Sequence, residues 1–128
     1  VRNHYNPATR EIVLAPSASL YSRFHELAHK DQHESNSTVY IAWVILRRAR
    51  AINYFVTLWI EFDAYRRTRR VMRRLGLWSD EVRQEARSYL RAYALRKAQR
   101  ELISLTMAAF AKIGRADGHC TRSTSAGR

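Results

Sequence analysis

Residues 39–60, VYIAWVILRRARAINYFVTLWI, form the most apolar stretch of the chain, and Arg47, Arg48 and Arg50 at its centre decide what it can become. A helix that crosses a bilayer needs about 20 apolar residues, and arginine at its midpoint is costly. Neither run flanking the arginines reaches that length. The stretch is therefore expected as a buried or interface helix of a soluble domain. The helical pattern extends from about Val39 to Leu75, as one very long helix or two joined by a kink, and Gly76 stops it.

The elements on either side follow from local signals. Asn6-Pro7 reads as a turn, followed by a short strand from about Glu11 to Ala15 that Pro16 ends. SASLYSRFHELAHKDQHES reads as a helix with Ser17 or Ser19 as N-cap. On its wheel Leu20, Tyr21, Phe24, Leu27 and Ala28 gather into a core-facing stripe, with His25, His29 and Ser22 on the neighbouring side and Glu26 at its edge. Ser37 or Thr38 can cap the long helical region. After Gly76 a further helix starts with Ser79 as N-cap, Asp80 and Glu81 at the positive end of its dipole, and runs to about Ile113. The fold class expected is mainly α, an α+β chain with a minimal sheet and one visible strand. At 128 residues it is expected as a single domain, 1–113, with residues 114–128 as a flexible C-terminal tail.

Composition narrows the partners. Cys120 is the single cysteine, so no internal disulfide and no Cys-based zinc framework can form, which favours a reducing compartment. Lys and Arg number 23 against 11 Asp and Glu, a net charge of +12. The densest stretch is RRTRRVMRR, where Arg66, Arg67, Arg69, Arg70, Arg73 and Arg74 are candidates to bind a polyanion, either nucleic acid or acidic protein. No helix-turn-helix, finger or RNA-binding signature accompanies them. A solvated helix face or an assembly surface is the plainer reading.

The chemistry-bearing motif is His25-Glu26-Leu27-Ala28-His29, the pattern H-E-x-x-H on an expected helix. Residues four apart share a helix face, with Cβ atoms about 5–6 Å apart, so two imidazoles can converge on one ion. Glu26 beside them can take a proton from water and pass it to a leaving amine. With a single Cys, any metal must be held by His and carboxylates. Paired histidines on a polar face would be the bland alternative.

A third ligand must come from elsewhere. His33 lies eight residues from His25, about 12 Å along one helix, and cannot share an ion bound at about 2 Å. It is expected at the rim or surface. Glu61, in WIEFDAYRRT, is the better candidate, since the chain can return antiparallel and set its carboxylate against the histidines. Asp63 is the alternative ligand and His119 a distant third. Tyr54, Thr57, Leu58, Tyr65 and Thr68 share Glu61's side of their helix. Tyr65, or second Tyr54, could donate a hydrogen bond to an oxyanion, although either could be a packing residue.

HELAH followed by EFDA resembles the gluzincin branch of the zinc metallopeptidases, and the lead-in HYNPATREIVLAP is similar to compact ImmA/IrrE-like and ArdC-like zincin domains. The resemblance covers about residues 4–68. It implies a zincin-like active-site helix followed by long Arg-rich helices, a zinc ion on His25, His29 and Glu61, and Glu26 as general base. It also implies that the edge strand Ile12–Ala15 could align a substrate backbone by β-pairing.

The function expected is a zinc-dependent metallopeptidase acting on a protein or peptide substrate, with Glu26 and Tyr65 as catalytic residues. The rival is an Arg-rich helical structural or nucleic-acid-associated protein of a larger assembly that retains an inactive zincin core. Either suits an intracellular location, cytoplasmic or within a virion or nucleoprotein assembly.

Overall fold

Two short strands and four helices make up the structure, a computed structural model that describes the backbone of residues 3–120 and the side chains of residues 3–49 and 52–115. They are β1 (His4–Asn6), β2 (Glu11–Val13), α1 (Leu20–Glu34), α2 (Thr38–Leu46), α3 (Arg50–Arg74) and α4 (Asp80–Cys120). The class is mainly α with a minimal sheet. The chain divides into two compact units, Val1–Ala94 and Leu95–Arg128. Helix α4 continues to Cys120 rather than ending near Ile113, so residues 114–120 are helix where a tail was expected. Residues 121–128 of that tail lie outside the described residues.

The hairpin supplies a strand that sequence reading missed. β1 and β2 pair antiparallel with Tyr5 opposite Ile12, and the segment read as a turn at Asn6-Pro7 holds its chain reversal. The Asn6 side chain accepts from the Ala8 amide at 3.0 Å, and Arg10 takes a left-handed φ of 60°. Asn3 accepts from the Ala15 amide at 2.7 Å, tying the end of β2 back to the start of the hairpin.

Capping residues set the helix boundaries. Ser19 begins α1 and its hydroxyl accepts from the Ser22 amide at 3.1 Å. Asn36 turns the chain in the left-handed region, φ 47°, and Ser37 caps α2 by accepting from the Tyr40 amide at 3.2 Å. The long helical region breaks in two at Arg47–Ala49, where Ala49 is extended. Arg47 folds over the Trp43 ring at 5.0 Å, a cation–π contact. Gly76, at φ 71°, ends α3 in a Schellman arrangement: the Leu77 amide donates to Met72 and the Gly76 amide to Arg73. Ser79 then accepts from the Val82 amide at 3.3 Å to start α4.

Packing differs from expectation in two places. The apolar stretch is not uniformly buried, because α2 buries no residue and Ile45 and Phe55 lie exposed. Among the described residues of the stretch only Val56 and Ile60, both on α3, are buried; farther along α3 so are Glu61, Ala64, Thr68 and Met72. In α1 the buried stripe is Tyr21, His25, Ala28 and Gln32, spaced i, i+4, i+7, i+11, with Glu26 at its border. Leu20 and Leu27 face outward instead. The helix is thus rotated so that its polar side meets α3, which is tolerable because those polar groups satisfy one another. The apolar cluster of the first unit is Tyr21, Met72 and Ala86, closed by Phe24, Tyr65, Trp78, Val82 and Tyr89. In the second unit Leu95, Leu102, Leu105 and Phe110 are exposed on one helix.

Candidate metal centre

Helices α1 and α3 bring His25, His29 and Glu61 together, each offering one ligand atom within 4.8 Å of the others. His25 Nε2 lies 3.0 Å from Glu61 Oε2, and His29 Nε2 lies 3.6 Å from the same oxygen. Ligand atoms held about 2.1 Å from a tetrahedral zinc ion stand about 3.4 Å apart. The two separations from Glu61 bracket that value and all three ligand atoms lie within 4.8 Å of one another, so the group could hold a metal ion. The two imidazole rings stand nearly perpendicular, centroids 4.7 Å apart and planes at 82°, as two ligands approaching one point from successive helical turns require.

Hydrogen bonds behind His29 fix its tautomer. Both hydrogens of the Gln32 amide are committed, to the Ile60 carbonyl at 3.0 Å and to Asp63 Oδ2 at 2.8 Å. Its oxygen must therefore accept, and His29 Nδ1 donates to it at 2.9 Å. The Nε2 of His29 then faces Glu61 either as an imidazolium or across a shared cation. His25 is wholly buried, with Nδ1 3.4 Å from the Tyr21 hydroxyl. A phenol both donates and accepts, so Tyr21 can serve either tautomer of His25: Nε2–H toward Glu61, or Nε2 left bare for a metal with Nδ1–H on Tyr21. Asp63 is locked in turn by Arg67, whose Nε donates to it at 2.8 Å while another guanidinium nitrogen pairs with Asp31. The chain of contacts from His29 through Gln32 and Asp63 to Arg67 holds one ligand from behind.

The electrostatics favour a cation at this point. Burial alone pushes the Glu61 carboxyl up, but hydrogen bonds donated by His25 and His29 outweigh it and bring its pKa down to about 2. Burial disfavours a charged His29, yet its hydrogen bond with Glu61 prevails and the ring's pKa is raised. Glu61 is therefore an anion whose charge the site must balance with a proton or a metal.

Glu26, next to His25 on α1, is almost completely buried. Two tyrosine rings meet His25: Tyr21, stacked with centroids 5.6 Å apart, and Tyr89 of α4, edge-on at 4.8 Å. Burial first, then the Glu61 and Glu26 carboxylates, hold the Tyr89 phenol far above its usual range, so it stays protonated and able to donate. Tyr65 has its ring contacts with Phe62 and Trp78, at centroid distances of 6.0 and 6.1 Å, and packs against the apolar cluster. Tyr54 contacts Phe55. Asp63 supports Gln32 rather than joining the ligand group, and His33 bonds the Tyr5 hydroxyl at 2.7 Å, consistent with its exclusion on helix geometry. The side chain of His119 lies outside those described.

Sequence reasoning missed Gln32, Tyr21 and Tyr89. Gln32 carried a local signal, being three residues after His29 and so on the same face. Tyr21 stands four before His25 and carried the same one. Tyr89, 64 residues beyond His25 in the chain, had none. No protein-family model, curated protein or solved structure matches this chain.

Proposed function

We propose that the chain is a zinc-dependent peptidase of gluzincin type, with His25, His29 and Glu61 as ligands and Glu26 as general base. The observation that carries the reading is the approach of both histidine Nε2 atoms to one Glu61 oxygen, at 3.0 and 3.6 Å, with Glu26 adjacent in the motif. His25, His29 and Glu61 would hold the zinc ion, which would supply Lewis acidity and lower the pKa of water toward neutrality. Glu26 takes the proton from the attacking water and returns it to the leaving amine. The neutral Tyr89 phenol donates toward the developing oxyanion, the role that sequence alone assigned to Tyr65. Gln32 keeps the His29 imidazole in the tautomer that ligation needs, and Tyr21 can accept from His25 Nδ1 when Nε2 is bare. The substrate is a protein or peptide segment that adds to the outer edge of β2 in extended form. Cys120, the single thiol, suits a reducing cytoplasmic setting.

Elemental analysis of the purified protein, with and without Glu26→Gln, tests this. One zinc per chain in both, and peptide hydrolysis lowered about 10²- to 10⁴-fold in the variant, is the expected result. Absence of stoichiometric zinc, or equal hydrolysis by the two proteins, would refute the enzyme reading. Zinc without hydrolysis in either would favour an inactive zincin core serving as scaffold.

A further inference from the structure

The arginines of α3 are placed as a binding face. Arg66, Arg69, Arg70, Arg73 and Arg74 follow the spacing i, i+3, i+4, i+7, i+8, which gathers them on one side of the helix, away from the buried Glu61, Ala64, Thr68 and Met72. All five are exposed, and together they line one open depression with no apolar residue in it. Among the described residues none of the five makes a salt bridge, although the charge of Arg66 is felt by Asp63. Arg67, between them in sequence, points the other way into Asp63 and Asp31. The structure thus separates one structural arginine from five unpaired ones. Repulsion between like charges at i, i+4 destabilises the helix, and the macrodipole accounts only for cations in its last turn.

We propose that these five arginines bind a nucleic-acid backbone. Eight residues of helix set the outer pair about 12 Å apart, and each strand of B-form duplex advances one phosphate per about 3.4 Å of its axis, so a stripe lying along that axis spans three or four phosphates. Guanidinium forks suit bidentate contact with phosphate oxygens. The depression is lined by arginines alone; the exposed Phe55, Trp59 and Phe62 precede it on the same face of α3, and a protein or membrane partner, which would use such apolar anchors, is an outcome the experiment distinguishes. With only charge and forks to offer, the surface reads backbone rather than base sequence. The proposal stands apart from the metal centre, and Glu26→Gln should leave binding unchanged.

The experiment is fluorescence anisotropy with a labelled random-sequence duplex from 50 to 200 mM salt. Three to four phosphate contacts predict a loss of affinity of about 40- to 150-fold over that range. In the double variant Arg70→Gln with Arg73→Gln the loss shrinks to about 3- to 12-fold. Arg87→Gln with Arg91→Gln, an equal change in net charge on the exposed face of α4, should leave the wild-type response. Circular dichroism checks that both variants keep their helix content, and single substitutions replace a pair that does not. No binding, a salt-independent response, or equal weakening by the two pairs would overturn the proposal. So would displacement by polyglutamate as effective as by unlabelled duplex, or stripe-dependent binding to phosphatidylserine vesicles without duplex binding.

Discussion

Gln32→Leu separates the role of a residue in the fold from its role in the metal centre. The side chain is fully buried and makes three hydrogen bonds, two donated to α3 and one accepted from His29. Leucine fills a similar volume and offers no partner. The Ile60 carbonyl keeps its place in the helical ladder and Asp63 keeps Arg67, so the group left unsatisfied is His29 Nδ1–H. Counting only the His29 bond, whose loss leaves an orphan, a net contribution of about 1 kcal/mol with a penalty of about 1–3 kcal/mol gives a loss of about 2–4 kcal/mol in the metal-free protein. Removing the hydrogen bond behind a histidine ligand should also weaken zinc by about 10- to 100-fold, or about 1.4–2.7 kcal/mol. Urea unfolding of the metal-free protein reads the first quantity, and competition with a chromophoric chelator at a temperature where both proteins are folded reads the second. Met72→Ala, a cavity in the apolar cluster worth about 2–5 kcal/mol, is the control: equal destabilisation with zinc affinity kept. A Gln32→Leu protein that loses stability yet binds zinc within threefold of wild type would refute the argument that Gln32 orients a ligand.

Other substitutions check neighbouring steps. Glu61→Gln removes the anion that both imidazoles approach and should abolish stoichiometric zinc in elemental analysis while circular dichroism stays helical. Tyr89→Phe should retain zinc and lower kcat by about 10²- to 10³-fold, the cost of an oxyanion donor, with Tyr65→Phe much milder; the reverse order in peptide-hydrolysis assays would return the role to Tyr65. Gly76→Ala should cost about 1–2 kcal/mol in urea unfolding, since a Cβ there meets nothing within 4 Å and only the left-handed φ opposes it. Ser79→Ala should cost about 1 kcal/mol through loss of the α4 cap.

What could be read in the sequence was what neighbouring residues decide among themselves. Ser19, Ser37 and Ser79 cap the helices they precede, and Gly76 ends α3, because capping involves only a turn of chain. The pairing of His25 with His29 follows from helical repeat alone, and Glu61 needed only an antiparallel return. What remained hidden depends on a partner element. Leucines at 20 and 27 drew the expected core stripe toward themselves, but α1 turned His25 and Gln32 inward because α3 offered Glu61, Asp63 and a backbone carbonyl to receive them. Strand β1 is three residues long and exists through its pairing with β2. The reach of Tyr89 to His25 depends on how α4 follows the turn after Gly76, which no local pattern encodes.

The rotation of α1 carries one more consequence. Because its buried stripe and its ligand face coincide, filling the site and holding the helix in place are coupled by mass action. Free zinc at 100 times its dissociation constant would add about 2.7 kcal/mol to the folded state. The melting temperature should therefore report the zinc concentration of the buffer, and a chelator should loosen α1 from α3 before any substrate is involved. In a cell, the supply of metal would set how long each copy of the chain survives proteolysis.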